Sequence, residues 1–241
     1  ATVLSQMASC AFVLSFLFGK KVPVKISFGG YDRKLIQRIL LVGFTPFIII
    51  AVDNVMIISM NSVLQTYGGP GEGDMLITCA TIVQSFMLVI TMPLGGITGG
   101  TQTILAFNYG AGQPDRVKKA QRFIFFLSAG YTTILFILAQ TAGHIFVRLF
   151  TSDPALIAEA AKTIKIYTLA VIPLSIQYVI VDGFTGLGKV QLSLPLSFFR
   201  KLVYFLPLFL LPRFFGARAT FYAEPISDII APVVSIFIYA V

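Results

Sequence analysis

Charge is scarce in this sequence. Of its 241 residues only 12% are Asp, Glu, Lys or Arg, and 56% are hydrophobic. Ordinary soluble domains carry roughly 25% charged residues, so a soluble globular domain is excluded and the chain reads as a membrane protein. Cysteine is limited to Cys10 and Cys79, both within or at the edge of apolar runs, which leaves no disulfide framework and no metal spacing. The single histidine, His144, has no Cys/His cluster around it and reads as an interfacial residue near a span end. There is no HExxH, no pair of acids in a GxGD context and no Ser/His arrangement, so a membrane-embedded hydrolase lacks its chemistry and no enzyme is expected. No repeated selectivity element speaks for a channel. No linker, low-complexity tract or internal copy is visible. The start, Ala1-Thr2-Val3, has neither Met nor a basic region ahead of an apolar core, which argues against an intact signal peptide and reads as a fragment beginning inside a helix.

Apolar runs fill the chain. A membrane helix needs about 20 residues, and seven stretches approach or exceed that: 1–18, 39–64, 75–109, 123–147, 164–187, 191–211 and 224–241. Gly68-Gly69-Pro70-Gly71-Glu72-Gly73-Asp74 separates the second from the third. Thr151-Ser152-Asp153-Pro154 reads as a helix start, with Ser152 or Asp153 as N-cap and Pro154 at the first helical position. The net charge of +8 would suggest nucleic acid in a soluble protein. Here the cations sit in short loops, so the membrane surface explains them and no nucleic acid is expected. Alternating the loops across the bilayer puts thirteen Lys and Arg on one side (19–38, 113–122 and 188–201) and five on the other. The positive-inside rule makes the first side cytoplasmic.

The stretch 84–122 is the most informative. On a helix at 100° per residue, Gln84, Thr91, Gly95, Thr98, Gln102 and Tyr109 share one narrow face of an otherwise apolar span. The run is expected to break at Met92-Pro93-Leu94-Gly95-Gly96. Two readings stand. Gly95/Gly99 and Gly96/Gly100 are small-xxx-small pairs that let membrane helices approach closely, which is the base-rate reading. The alternative is a helix lining a hydrated path, interrupted near mid-depth.

Pro93-Leu94-Gly95, Gln102, Asn108-Tyr109-Gly110-Ala111-Gly112 and Arg116-Val117-Lys118-Lys119-Ala120 resemble the multidrug and toxic compound extrusion (MATE) transporters, in their bacterial drug-efflux branch. Gly43-Phe44-Thr45-Pro46-Phe47, Leu149 to Pro154, Phe184 to Lys189, Leu211 to Gly216 and Ala223 to Asp228 extend the likeness over nearly the whole chain. The resemblance implies an all-α membrane protein. Residues 1–18 would be the last helix of the N-terminal bundle, 19–38 a cytoplasmic connecting loop and 39–241 the six-helix C-terminal bundle. It also implies a multi-pass protein of the bacterial plasma membrane, in which a second half matches this one. Export of cationic or amphiphilic compounds would be exchanged for H⁺ or Na⁺, with no other cofactor. A lipid-linked or polysaccharide exporter of related fold is the rival, and would favour several cations in a central cavity. Some branches carry an acid in each of the spans at 39–64 and 164–187. Asp53 falls near the first such position, whereas Ser175–Gln177 holds none near the second.

Asp53 lies deep in its run, where an acid costs about 2.5–3.5 kcal/mol on insertion scales, and such acids face inward and carry function. Asn54 and Asn61 are expected to hydrogen-bond near it, with Gln84 facing the same space. Thr91, Gln102, Tyr178 and Asp182 complete the candidate substrate or ion path, Asp182 as a gate or interface residue near the cytoplasmic end. Arg200 could pair with Asp182, but is read as snorkelling from an amphipathic lead-in. Glu224 and Asp228, like charges four apart, are read as marking a helix start.

Overall fold

The computed structural model describes residues 2–18, 29 and 32–240. Every regular element within them is helical. The chain forms two compact units, Ala1–Phe44 and Thr45–Val241.

In the first unit, helix α1 (Thr2–Leu17) is apolar all round, and every residue from Val3 to Phe16 is exposed. Sixteen residues rise about 24 Å, slightly less than the roughly 30 Å of a hydrocarbon core. Helix α2 (Arg33–Gly100) starts earlier than the expected span at 39. Asp32 is the reason: its Oδ1 accepts from the backbone N–H of Lys34 at 2.8 Å, so the helix nucleates there and takes Arg33, Lys34 and Arg38 out of the connecting loop. Lys20, Lys21 and Lys25 of that loop lie outside the described residues.

The second unit is a bundle of six crossing segments among the described residues. Ile50–Gly110 is 61 residues of mostly helical chain, about 90 Å if straight and three times what a bilayer needs. It doubles back at Gly69 (φ 65°), Pro70 and Gly71 (φ 88°), the glycine-rich loop read from the sequence. The reversal is tight. A Cβ on Gly68 would lie 2.7 Å from the Cα of Gly73, so the arms of α2 touch where only glycine fits.

The expected break at Met92–Gly96 does not occur. The helix runs through Pro93 to Gly100, with Ile90 and Leu94 fully buried on either side of the proline. Packing holds the helix across the missing N–H, as membrane helices tolerate. The interruption falls instead at Thr101, whose hydroxyl donates to the carbonyls of Ile97 (2.8 Å) and Thr98 (2.9 Å) before α3 (Gln102–Gly110) resumes.

After α4 (Pro114–Val147), Asp153 caps α5 (Pro154–Tyr167), its Oδ1 accepting from the N–H of Ala155 at 2.9 Å. The fifth crossing is not one helix, as 164–187 implied, but α5 followed by α6 (Val171–Gly186), bent by 48°. Pro173 explains the bend: it cannot donate to the carbonyl of Leu169, and its ring would clash there. Gln140 of α4 stitches the break, donating to the carbonyl of Lys165 at 3.0 Å. Helix α7 (Val190–Phe215), a short 3₁₀ turn (Ala217–Tyr222) and α8 (Ala223–Ala240) complete the unit.

Its core is built from Met60 and Leu64 of the first α2 arm, Val83 and Ile90 of the second, Ile164 of α5, Leu174 of α6 and Leu208 of α7, all essentially inaccessible. The outside is equally apolar: Phe107, Phe126, Phe214 and Phe237 are each well over half exposed. Exposed apolar area on this scale aggregates in water and suits lipid. The unit is therefore an all-α, multi-pass membrane bundle.

Candidate functional site

Five charged side chains converge within the bundle, and α7 supplies both cations. Arg200 is ten residues into that helix, about 15 Å along its axis. Neighbouring residues point about 100° apart on a helix, so Arg200 and Lys201 reach different partners. One Arg200 guanidinium nitrogen donates to Glu224 Oε1 at 3.3 Å and to Asp228 Oδ1 at 3.0 Å, both on α8. Lys201 turns to the first arm of α2 and meets Asp53 Oδ1 at 2.5 Å. Tyr167, at the end of α5, donates its hydroxyl to Glu224 Oε2 at 3.3 Å, and Tyr204 of α7 adjoins it.

Asp53, Arg200, Glu224, Tyr167 and Tyr204 border a cavity of about 230 Å³, whereas Lys201 and Asp228 lie outside its lining. Asp53, Gln84 and Thr91 line it together with Arg200 and Glu224, while Met56, Met60, Met87 and Leu88 supply its apolar wall. Three of the sequence candidates thus share one space, as expected for Asp53 and Gln84. The two asparagines expected beside Asp53 are not among them. Asn54 is exposed and donates to the carbonyl of Ile50 at 2.8 Å, its own preceding turn, rather than to Asp53. Asn61 is half-buried and outside the lining. An ammonium, not an amide, meets the Asp53 carboxylate.

Asp182 on α6 belongs to a separate cluster. Its Oδ2 accepts from Thr98 Oγ1 at 2.5 Å, and Gln102 is its second hydrogen-bonding partner. Gly186, one turn on, lets the α3 backbone approach: a Cβ there would lie 3.1 Å from Gln102. Gln121 of α4 donates to the carbonyl of Val179 at 2.8 Å and lies over Gly183. Tyr178 lies between, within electrostatic reach of Arg200, Asp228 and Asp182. The polar stripe of 84–109 is therefore divided by depth, with Gln84 and Thr91 at the cavity and Thr98 and Gln102 on Asp182. Gly95, Gly96, Gly99 and Gly100 have no atom within 4 Å of an added Cβ, so the small-residue pairs pack against none of the described helices of this chain.

Two readings from the sequence are overturned and one is extended. Arg200 neither snorkels nor pairs with Asp182, because two carboxylates on α8 hold it inside the bundle. Glu224 does stand in the first turn of α8, as read, but with Asp228 it also holds the guanidinium that offsets their repulsion. Lys201, counted as a loop cation, is buried in the bundle with Arg200, and without the two the charge asymmetry becomes eleven against five. The signal for Lys201 was present, as adjacent cations ten residues into an apolar helix need buried partners.

A larger cavity, about 550 Å³, lies apart from both clusters at the α5 and α7 ends, where Arg218 bridges Glu159 (2.8 Å) and Glu72 (3.4 Å).

The comparisons with known proteins agree with this architecture. The MatE family model matches residues 48–210. The multidrug export protein MepA of Staphylococcus haemolyticus is 21% identical over 206 residues, 86% of this chain and 44% of that protein. An outward-facing multidrug resistance MATE family transporter of the MOP superfamily superposes with a TM-score of 0.84 at 18% identity, over 98% of this chain and 53% of its own. An inward-facing structure of such a transporter gives 0.78, over 98% and 55%. This chain spans about half the length of the relatives it matches, and corresponds to their C-terminal half. With the family model covering well over half of its residues, the chain belongs to the MatE family.

Proposed function

We propose that this chain is the C-terminal half of a secondary transporter of the bacterial plasma membrane, exporting hydrophobic and cationic compounds in exchange for H⁺ or Na⁺. It pairs with an N-terminal half, and the two bundles rock about a shared substrate path, giving alternating access. The coupling ion is the only cofactor the reading requires.

The observation that carries this reading is the composition of the 230 Å³ cavity. Three methionines and a leucine make one wall, and methionine repacks around varied apolar shapes. Acids border the same space: Asp53, on the helix arm that carries Met56 and Met60, keeps 46% of its side chain exposed although bound to Lys201. A flat organic cation fits such a space by apolar area, with a carboxylate to orient it. The polysaccharide or lipid-linked exporter is supported less, since Arg200 and Lys201 are each committed to carboxylates rather than presented to an anionic cargo.

The test is ethidium efflux by the full-length transporter in proteoliposomes under imposed pH or Na⁺ gradients. The reading expects gradient-driven dye movement, reduced several-fold by Asp53→Asn at unchanged protein level. No dye movement under either gradient, from protein that is folded and correctly inserted, would refute it.

A further inference from the structure

The arginine cluster holds one more negative charge than positive. Arg200 faces two carboxylates, and a guanidinium keeps its proton throughout the accessible pH range. Glu224 is served on both oxygens, by Arg200 on Oε1 and by Tyr167 on Oε2. Asp228 is served on one only. Its Oδ1 accepts from Arg200, while Oδ2 has no hydrogen-bond partner among the described residues, and the side chain is 1% exposed.

Among the described residues, the surrounding groups do not supply the missing positive charge. From α2 comes Asp53, already joined to Lys201 of α7; from α5 Tyr167; from α6 Tyr178 and, beyond it, Asp182; from α7 Tyr204. The phenols are neutral and the Lys201–Asp53 pair cancels. One buried carboxylate oxygen therefore stands without a counter-charge, a state that apolar surroundings penalise strongly.

We propose that Glu224 and Asp228 together form a one-proton binding site on the last crossing of the bundle, with Arg200 as its fixed counter-charge. The step is a simple addition: one carboxylate of the pair takes H⁺ from the aqueous phase and becomes a carboxylic acid, with no other bond made or broken. Glu224 borders the cavity and Asp228 does not, so the proton enters at Glu224 and is shared one helical turn deeper. A metal cation is a poorer fit. It needs several convergent oxygens, and no cluster of three His, Cys, Asp or Glu able to hold one occurs among the described residues. The site itself does not depend on the exporter reading; only its use in coupling rests on it.

Infrared difference spectroscopy of the full-length transporter, between acid and alkaline buffer, reads the site directly. Among the carboxyl groups that titrate between the two buffers, wild type should show one protonated-carboxyl band that belongs to this pair. Asp228→Asn and Glu224→Gln should each lose or displace it, and Asp228→Glu should keep it at a shifted frequency. If Asp228→Asn fails to accumulate, the Asp228→Glu shift decides. A band unchanged in all three variants, or absent from wild type, overturns the proposal. So does displacement of the band by Na⁺ at constant pH, which would make it a sodium site. In proteoliposomes, Asp228→Asn should lose the pH-driven acceleration of ethidium efflux. Wild-type protein that shows the band but moves no dye would sink the exporter reading and leave the proton site standing.

Discussion

Two aspartates of one bundle meet their surroundings differently. Asp53 is neutralised by an ammonium, that of Lys201, and still borders the cavity. Asp182 is held by the hydroxyl of Thr98 and the amide of Gln102, without a cation paired to it among the described residues. A carboxylate in an ion pair can be released to another cation by moving one flexible side chain. One held by a hydroxyl and an amide on a neighbouring helix fixes that helix instead. The first arrangement suits exchange and the second suits closure of a helix interface, where Gly183 and Gly186 already bring α6 within contact of Gln121 and Gln102.

The largest effect that would sharpen this contrast comes from the charged side. Arg200→Met leaves Glu224 and Asp228 buried with like charge, and removing one partner of a buried ion pair costs about 3–5 kcal/mol. The full-length variant should fail to accumulate, or melt far below wild type, in detergent. A variant melting like wild type would show that the guanidinium is not what holds the two acids together.

On the Asp182 side, Gly186→Val should follow in size. Its added atoms meet the Gln102 backbone at 3.1 Å, and overpacking of this kind costs about 1–3 kcal/mol. Asp182→Asn keeps the shape but weakens the bonds from Thr98 and Gln102. Hydrogen bonds to a charged group contribute about 1.5–3 kcal/mol and neutral ones about 1, so a loss of roughly 1 kcal/mol is expected, read as a lowered melting temperature. Parallel cysteine labelling at position 102 should show faster access in both variants if the cluster closes an interface. Unchanged labelling would break that half of the comparison. The smallest effect is expected at Gly99→Ala, where nothing lies within 4 Å. Isolated 241-residue chain in detergent should shift by no more than about 0.5 kcal/mol.

The sequence made the class, the crossings and the local signals legible. Sparse charge and long apolar runs declared the membrane, Gly69-Pro70-Gly71 the reversal, and Asp153-Pro154 the start of α5, because each is decided by neighbours in the chain. An acid within an apolar run is a local signal too, so Asp53 stood out. Which helix meets which was not. The side chain opposite Asp53 is 148 positions away in sequence, and nothing local to Arg200 distinguishes Glu224 and Asp228 from Asp182 as partners. The bend at Thr168–Ala170 was missed although its cause, Pro173, was visible, since a run of uniformly apolar residues hides a break from periodicity. The small-residue stripe misled in the opposite sense: helical arithmetic assumed one unbroken helix from Gln84 to Tyr109, whereas the interruption at Thr101 divides it, and a face says nothing of what lies against it.

The account turns on the claim that Lys201 is the counterion of Asp53, and a double-mutant cycle in the full-length transporter tests it most directly. Asp53→Asn, Lys201→Met and the double variant would be compared by melting temperature and by ethidium efflux. Residues in contact show interaction energies of about 0.5–3 kcal/mol, whereas independent sites add. The pairing predicts that the double variant recovers part of the stability that either single variant loses. Strictly additive losses would contradict it.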